Sequence, residues 1–515
     1  MRRVLELESY LAGPLLGAHL CSLGFAVTAV RRPETSRGYE RERRRVGRMR
    51  DRLAAGKRVE ILDLPTDDAR LCELVRSCDV LIEGFGDGVA ARRGFSFERC
   101  IALNPRLVYV ELHGYSRWDT EHARTVAWDS VIMASSGMFR NMGVNRALMG
   151  VDASFSSLPL PSVYASIQAL FATLSALLER RCGRVEVSLA SSLTESLVHN
   201  TIAFPLERCY MNRRLRAQQD GQRGLTRAEL QALHDPFFDT YRCLDGRDVY
   251  LVCPAHKGHQ LRALRALEVE TEVLRVLGHA TPFDDEYRPG IGGGSLSDEQ
   301  ARRVRPLLRA AFLRRPAAEW EATLGAARVP AIMHRTTEEW MAHGHTRDAG
   351  LVTPEGLAPV VWLNDPQPVV GTHRAGWNIR VLDLSNVIAG PTAGAYLARM
   401  GADVIKIDPP IPSYAPDVSV VFGLATNVGK RSVLLDVLHP AGRRALEALI
   451  AEADVLLINC TTSSLARAGL TRAELRTINP NLVLAHFDAW SGPLERGSLS
   501  DCVGYDDNVQ AAIGI

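Results

Sequence analysis

Lysine is nearly absent from this chain: four residues among the 61 that are Lys or Arg. The 61 basic residues face 59 acidic ones, a net charge of +2, so no surface dedicated to nucleic acid is implied. The preference for arginine fits genomic base composition better than a binding role. Ten cysteines are scattered with no C-x-x-C pair, which argues against zinc and dithiol chemistry and fits free thiols in a reducing cytosol. No uninterrupted apolar run reaches membrane-spanning length. Met1-Arg2-Arg3 and the apolar stretch after it superficially resemble a signal peptide, but the pattern recurs in mid-chain at 380–407 and so belongs to the fold. There is no Walker motif, no GxSxG elbow and no HExxH. The first glycine turn reads Ala-Gly-Pro rather than GxGxxG, which argues against NAD or FAD. A cytoplasmic protein with no metal, no permanently bound cofactor, no nucleic-acid partner and no membrane partner is expected.

What the chain does contain is one unit written twice. Val4-Leu5-Glu6-Leu7, Ala12-Gly13-Pro14 and Leu23-Gly24-Phe25-Ala26-Val27 return as Val381-Leu382-Asp383-Leu384, Ala389-Gly390-Pro391 and Met400-Gly401-Ala402-Asp403-Val404. The spacing is 377 residues at Gly13/Gly390, 375 at Asp79/Asp454 and Asn104/Asn479, and 377 again at Asp129/Asp506. Such a period is too long for a solenoid and means two domains of one fold. The first copy runs on well past Gly137, whereas its counterpart Gly514 is followed by a single residue, so the second copy is expected to be incomplete.

Apolar strands alternate with amphipathic helices in both copies, at 4–7, 26–30, 79–83 and 107–112, and at 381–384, 404–407, 454–458 and 482–487. The pattern predicts α/β domains with Rossmann-like parallel sheets. An apolar helix is expected over 163–180 and a strand over 185–189. The expected organisation is a large domain at 1–204, a polar connector at 205–234, a small α+β domain at 235–350, a return segment at 351–379 and the second large domain at 380–515. The glycine run at 290–294 has no strand before it and reads as a loop rather than a phosphate cradle.

These landmarks carry a resemblance. The stretch Val381 to Pro391, the strand Gly401 to Ile407, Asn427-Val428-Gly429-Lys430, Ala453-Asp454-Val455 with Asn459, Ala468-Gly469-Leu470, Asn479-Pro480 and Gly504-Tyr505-Asp506 are similar to the family III CoA-transferases, the CaiB/BaiF family. The first copy resembles them more loosely and adds the family's later features, including Tyr241-Arg242, Asp245-Gly246 and Ala318-Glu319-Trp320. The resemblance implies transfer of CoA from an acyl-CoA to a carboxylic acid. An aspartate attacks the thioester to form a mixed anhydride, CoA thiolate converts this to an aspartyl-CoA thioester, and the acceptor carboxylate resolves it. Acyl-CoA and carboxylate are then substrates, and no cofactor stays bound.

In the first copy the family's aspartate position is occupied by Ser162, which reads as a helix N-cap. Asp152 lies ten residues upstream, a weak alternative, and the second copy's counterpart of Ser162 falls beyond Ile515. The family's CoA contacts correspond to Ile388, Ala389, Lys430, Asn459 and Arg467 in the second copy. In the first copy Arg32, Lys57 and Arg92 are fainter counterparts, and Gly84 stands where the asparagine would be. Lys and Arg suit nucleotide phosphates, and Asn suits a polar edge of adenosine or pantetheine. Three activities follow: a tandem CoA-transferase whose nucleophile this chain lacks, a catalytically inactive CoA-binding scaffold, or an acyl-CoA racemase. Racemases of this superfamily place a His before the landmark Asp, where Trp128 and Tyr505 stand here, which disfavours that reading. Family members form interlocked dimers, so an intramolecular pseudo-dimer or a homodimer is expected.

Overall fold

The computed structural model describes all residues except 8–9, 36–43, 45–46, 48, 50, 65, 87, 140–143, 153–154, 198–212, 254–256, 278–295, 355, 358–375, 412–421, 495–496 and 515. The glycine run and most of the return segment therefore lie outside the described residues. Contacts divide the chain into two compact units. One is built on Met1–Met142 and Asp152–Ala203, the other on Gly143–Val151, Phe204–Ala358 and Gln367–Ile515.

In the first unit, β1 (Arg3–Glu6), β2 (Ala26–Arg31), β3 (Arg58–Ile61), β4 (Val80–Glu83), β5 (Val108–His113) and β6 (Gly183–Ser188) form one parallel sheet in the order β3-β2-β1-β4-β5-β6. The chain starts at β1 in the middle and builds outward in both directions, so a switch point lies between β1 and β4. Alternate residues leave opposite faces. Val4, Ile82, Val108 and Val110 pack under the helices Ala12–Ser22 and Leu160–Leu178, and Leu5, Leu81 and Tyr109 pack against Leu71 and Val75 of the Asp68–Ser77 helix. Burial on both faces explains the near-continuous apolar strands read from the sequence. The exception is β3, which the sequence reading missed: Arg58, Val59 and Ile61 are exposed on this edge strand, so it lacks a core pattern. The Leu160–Leu178 helix is long and apolar enough to cross a bilayer by length and composition, yet Ala165, Ala169 and Leu170 bury it against this sheet.

The second unit holds a small antiparallel sheet, β7 (Phe238–Arg242), β8 (Asp248–Val252) and β9 (Ala331–Met333), around Tyr241, Phe312 and Trp320. Its hairpin turns at Gly246, whose φ of +76° needs the freedom of glycine. The helix Asp298–Phe312 starts in a capping box between Ser297 and Gln300. The described part of the expected connector is largely helical, at Arg213–Gln219 and Arg227–Ala232. Thr226 and Glu229 form the second helix's capping box, a signal the polar composition hid.

A two-residue ladder of β10 (Val352–Thr353) and β11 (Gly356–Leu357) precedes a second parallel sheet. There β12 (Arg380–Asp383), β13 (Asp403–Asp408), β14 (Arg431–Leu434), β15 (Val455–Ile458) and β16 (Val483–His486) run in the order β14-β13-β12-β15-β16. Val4 pairs with Val27 and Val80, and Val381 pairs with Val404 and Val455, so the two sheets share order and register over five strands. Within this unit the small sheet and the second large domain share a core, in which Ile332 packs with Trp490, Leu499, Ala511 and Ala512. Arg335 N–H donates to Ala511 O at 3.1 Å and Thr337 Oγ1 to Ile513 O at 2.9 Å across that contact.

Candidate functional site

The turn leaving β12 is fixed from below by charge. Asp383, fully buried at the strand end, accepts from Ser385 N–H at 3.0 Å and from the Ser385 hydroxyl. Its other oxygen receives Lys430 Nζ at 2.7 Å. Lys430 also donates to Pro391 O at 2.7 Å and Asn427 Oδ1 at 3.0 Å, so all three ammonium protons are used inside the protein. Burial pulls the lysine below its ordinary pKa, opposed by the Asp383 carboxylate. The space for this pair exists because residue 394 is glycine: a Cβ there would lie 2.9 Å from Asp383 Oδ2 and 3.0 Å from Lys430 Nζ. In the first unit, Lys57 Nζ meets Glu6 Oε2 at 2.5 Å and Pro14 O at 2.9 Å, with Gly17 beside them. The lysines that resemble phosphate ligands are thus struts beneath the two turns, each with its side chain 1 % exposed.

Asn459 braces the upper side of the second turn. Its Oδ1 accepts from Asn386 N–H at 2.9 Å and its Nδ2 donates to Asn386 O at 2.8 Å. The next residue, Val387, has φ +67°, a strained conformation for a β-branched side chain. Ile388 then caps the helix Ala389–Arg399, leaving Ala389 exposed at its open end. Arg467 is also exposed, with Nη2 donating to Ser464 Oγ at 2.9 Å. In the first unit Arg92 is exposed and Arg32 half-buried, and Gly84 offers no side chain for a brace like that of Asn459.

Ser162 is not the N-cap of its helix. Pro159 holds that position, with Pro161 in the first turn, and Ser162 is the third helical residue. The capping oxygens come from Asp129, whose carboxylate accepts Ser162 N–H at 2.7 Å and Ser162 Oγ–H at 2.8 Å. An anion at a helix N-terminus complements the dipole. Both residues are buried, whereas Asp152 is exposed. At the other racemase-type positions, Trp128 is 37 % exposed, and Tyr505 Oη lies 3.4 Å from His259 Nδ1.

A buried group that the sequence reading missed lies at the C-terminal ends of β4 and β5. Ligand-type atoms of Glu83, Glu111 and His113 fall within 4.8 Å of one another. Glu83 and Glu111 are register partners, so parallel pairing sets the two carboxyls side by side. A charged residue closing each otherwise apolar strand was the available signal. Glu111 is engaged by His113 Nε2 at 3.3 Å and Arg184 Nε at 3.5 Å, and Glu83 accepts Phe85 N–H at 2.8 Å. Desolvation pushes the Glu83 carboxyl up to about 7. These groups have the donor types to hold a divalent cation, but protein partners already occupy them.

The sequence profile of CoA-transferase family III matches residues 2–360 and again 377–515. The CoA-transferase/lyase DddD of Marinomonas sp. (strain MWYL1) is 31 % identical over the whole of this chain, which spans 68 % of its length. Succinate–glutarate CoA-transferase of Agrobacterium fabrum is 37 % identical over 26 % of this chain and 37 % of its own. A solved CaiB/BaiF family protein from Brucella suis aligns with 71 % of this chain and 92 % of its own at 21 % identity and a TM-score of 0.49. With both large domains matched by the profile and a relative aligned from end to end, the chain belongs to CoA-transferase family III.

Proposed function

We propose that the chain supplies the CoA-binding part of a tandem CoA-transferase, and that CoA binds at the turn following β12. The observation that carries this reading is the braced turn itself, which opens the helix start at Ile388 and Ala389 and is fixed before any ligand arrives. A preformed cradle avoids the ordering cost that binding otherwise incurs. Arg467 is the candidate cation for a nucleotide phosphate, since Lys430 is engaged below the turn. Arg32 and Arg92 define a fainter counterpart in the first large domain, where Lys57 is engaged below its turn as Lys430 is and Gly84 supplies no brace like that of Asn459.

The reaction we propose begins with an aspartate carboxylate attacking the acyl-CoA carbonyl. The C–S bond breaks and CoA leaves as thiolate, which then attacks the aspartyl carbonyl of the anhydride and expels the donor carboxylate. The acceptor carboxylate attacks the resulting thioester and forms a new anhydride, and returning thiolate releases product. Water must be kept from the anhydride. The first large domain does not supply this aspartate: Ser162 stands in its place, buried and tied to Asp129. The partners are an acyl-CoA and a carboxylate.

Titration calorimetry with CoA, together with intact mass after incubation with succinyl-CoA, tests the proposal. This chain should bind CoA and form no aspartyl-CoA adduct. An adduct on this chain would overturn the argument from Ser162, and absence of CoA binding would overturn the site.

A further inference from the structure

We infer that Asn459 is a positioning residue: its carboxamide shapes the turn that presents Ile388 and Ala389, and it acts on a ligand only through that turn. The inference rests on the reading that this turn binds CoA. By resemblance Asn459 would be a ligand contact, but its amide spans both backbone groups of one residue, Asn386. Only one orientation of the amide satisfies an N–H with an oxygen and a C=O with an NH₂ group, so the pairing also fixes which way the side chain faces.

The brace begins where the sheet ends. Leu382 and Asp383 pair with Leu456 and Leu457, and Leu384 N–H still reaches Leu457 O at 3.0 Å. Two residues later the chain turns away from β15, and the Asn459 side chain takes the place of the next strand partner. Asn386 is exposed, so without this amide its backbone groups would turn to water and the turn would lose its hold. The brace also sits directly before Val387 at φ +67°. A β-branched residue in that region is strained and persists only when its surroundings over-determine it. Those surroundings are Asn459 on Asn386, Asp383 on Ser385, and Lys430 on Pro391 O. Removing the amide leaves the strained residue held from one side only.

The first large domain offers the natural comparison, because Gly84 occupies the matching position. Asn459→Gly therefore imports the first domain's residue into the second. Asn459→Asp keeps an oxygen for Asn386 N–H but loses the donor to Asn386 O. Two readouts separate shaping from ligand contact: amide hydrogen exchange over 385–390 in the ligand-free chain, and the CoA dissociation constant by calorimetry. Asn459→Gly should speed exchange about tenfold and weaken CoA binding by a similar factor, with Asn459→Asp between it and the parent. The melting temperature should stay close to the parent's, which separates the effect from unfolding. Weakened CoA binding with unchanged exchange would make Asn459 a direct ligand contact and overturn the inference. Faster exchange with unchanged affinity would overturn it as well, since the turn would then not govern binding. If the parent chain binds no CoA, the proposed function fails, and the exchange measurement still decides whether the amide holds the turn.

Discussion

Ser162 Oγ lies 2.8 Å from Asp129 Oδ2, and the same carboxylate's other oxygen takes Ser162 N–H at 2.7 Å. This pair is a buried knot joining the starts of the helices Asp129–Ser135 and Leu160–Leu178. Ser162→Ala removes one of the two bonds and leaves a buried carboxylate oxygen short of a donor. It should cost about 1–3 kcal/mol of first-unit stability, read from urea unfolding. CoA affinity should not change.

The glycines beneath the turns make a graded prediction. A methyl on Gly17 would fall 1.8 Å from Glu6 Oε2, whereas one on Gly394 would fall 2.9 Å from Asp383 Oδ2. Each Gly→Ala change should destabilise its own domain by about 1–3 kcal/mol through overpacking, with Gly17→Ala the more severe. Denaturation midpoints of the two variants should fall in that order.

Lys430 and Arg467 should respond in opposite ways. Lys430→Met leaves Asp383 buried without its cation and should cost about 3–5 kcal/mol of stability. Arg467→Ala alters an exposed side chain and should change stability by no more than about 0.5 kcal/mol. Its effect should appear in calorimetry as weaker CoA binding with a reduced salt dependence.

Glu83 makes first-unit stability depend on pH. Its folded pKa of about 7 lies above the ordinary 4.5, because desolvation outweighs the Phe85 N–H bond and the neighbouring His113 and Arg184 charges. The folded state holds this proton more tightly, so the contribution is full below about pH 4.5 and is lost as pH rises through 7. The loss is on the order of 3 kcal/mol by pH 8. Glu83→Gln should flatten stability between pH 5 and 8 (roughly the window set by the two pKa values). An unchanged slope in that variant would refute the assignment.

Much of the fold could be read in advance because parallel strands buried on both faces must be apolar throughout. Leu81, Val80 and Ile82, or Leu456, Leu457 and Ile458, announce themselves in that way. The edge strands β3 and β14 did not, since most of their residues face water and carry no burial signal. The connector helices were hidden by polar composition, although Thr226-x-x-Glu229 marked one of them.

The candidate site was legible in position more than in role. Lys430 and Asn459 could be picked out from the sequence, but one side chain has its ammonium buried under the turn and the other has its amide spanning Asn386. The Glu83–Glu111–His113 group showed in the sequence only as charged residues at the ends of apolar strands, because strand register alone brings residues 28 apart into lateral contact.

By itself the sequence determined the family, the alternating α/β order and the serine at position 162, because these depend on residue identity and on the period of burial. Only the tertiary structure decided that Ser162 is locked to Asp129, that two lysines are internal struts, and that an asparagine replaces a strand partner for Asn386. The first two outcomes depend on which polar groups burial leaves needing a partner and the third on where the chain leaves the sheet, and both are fixed only once the chain has folded.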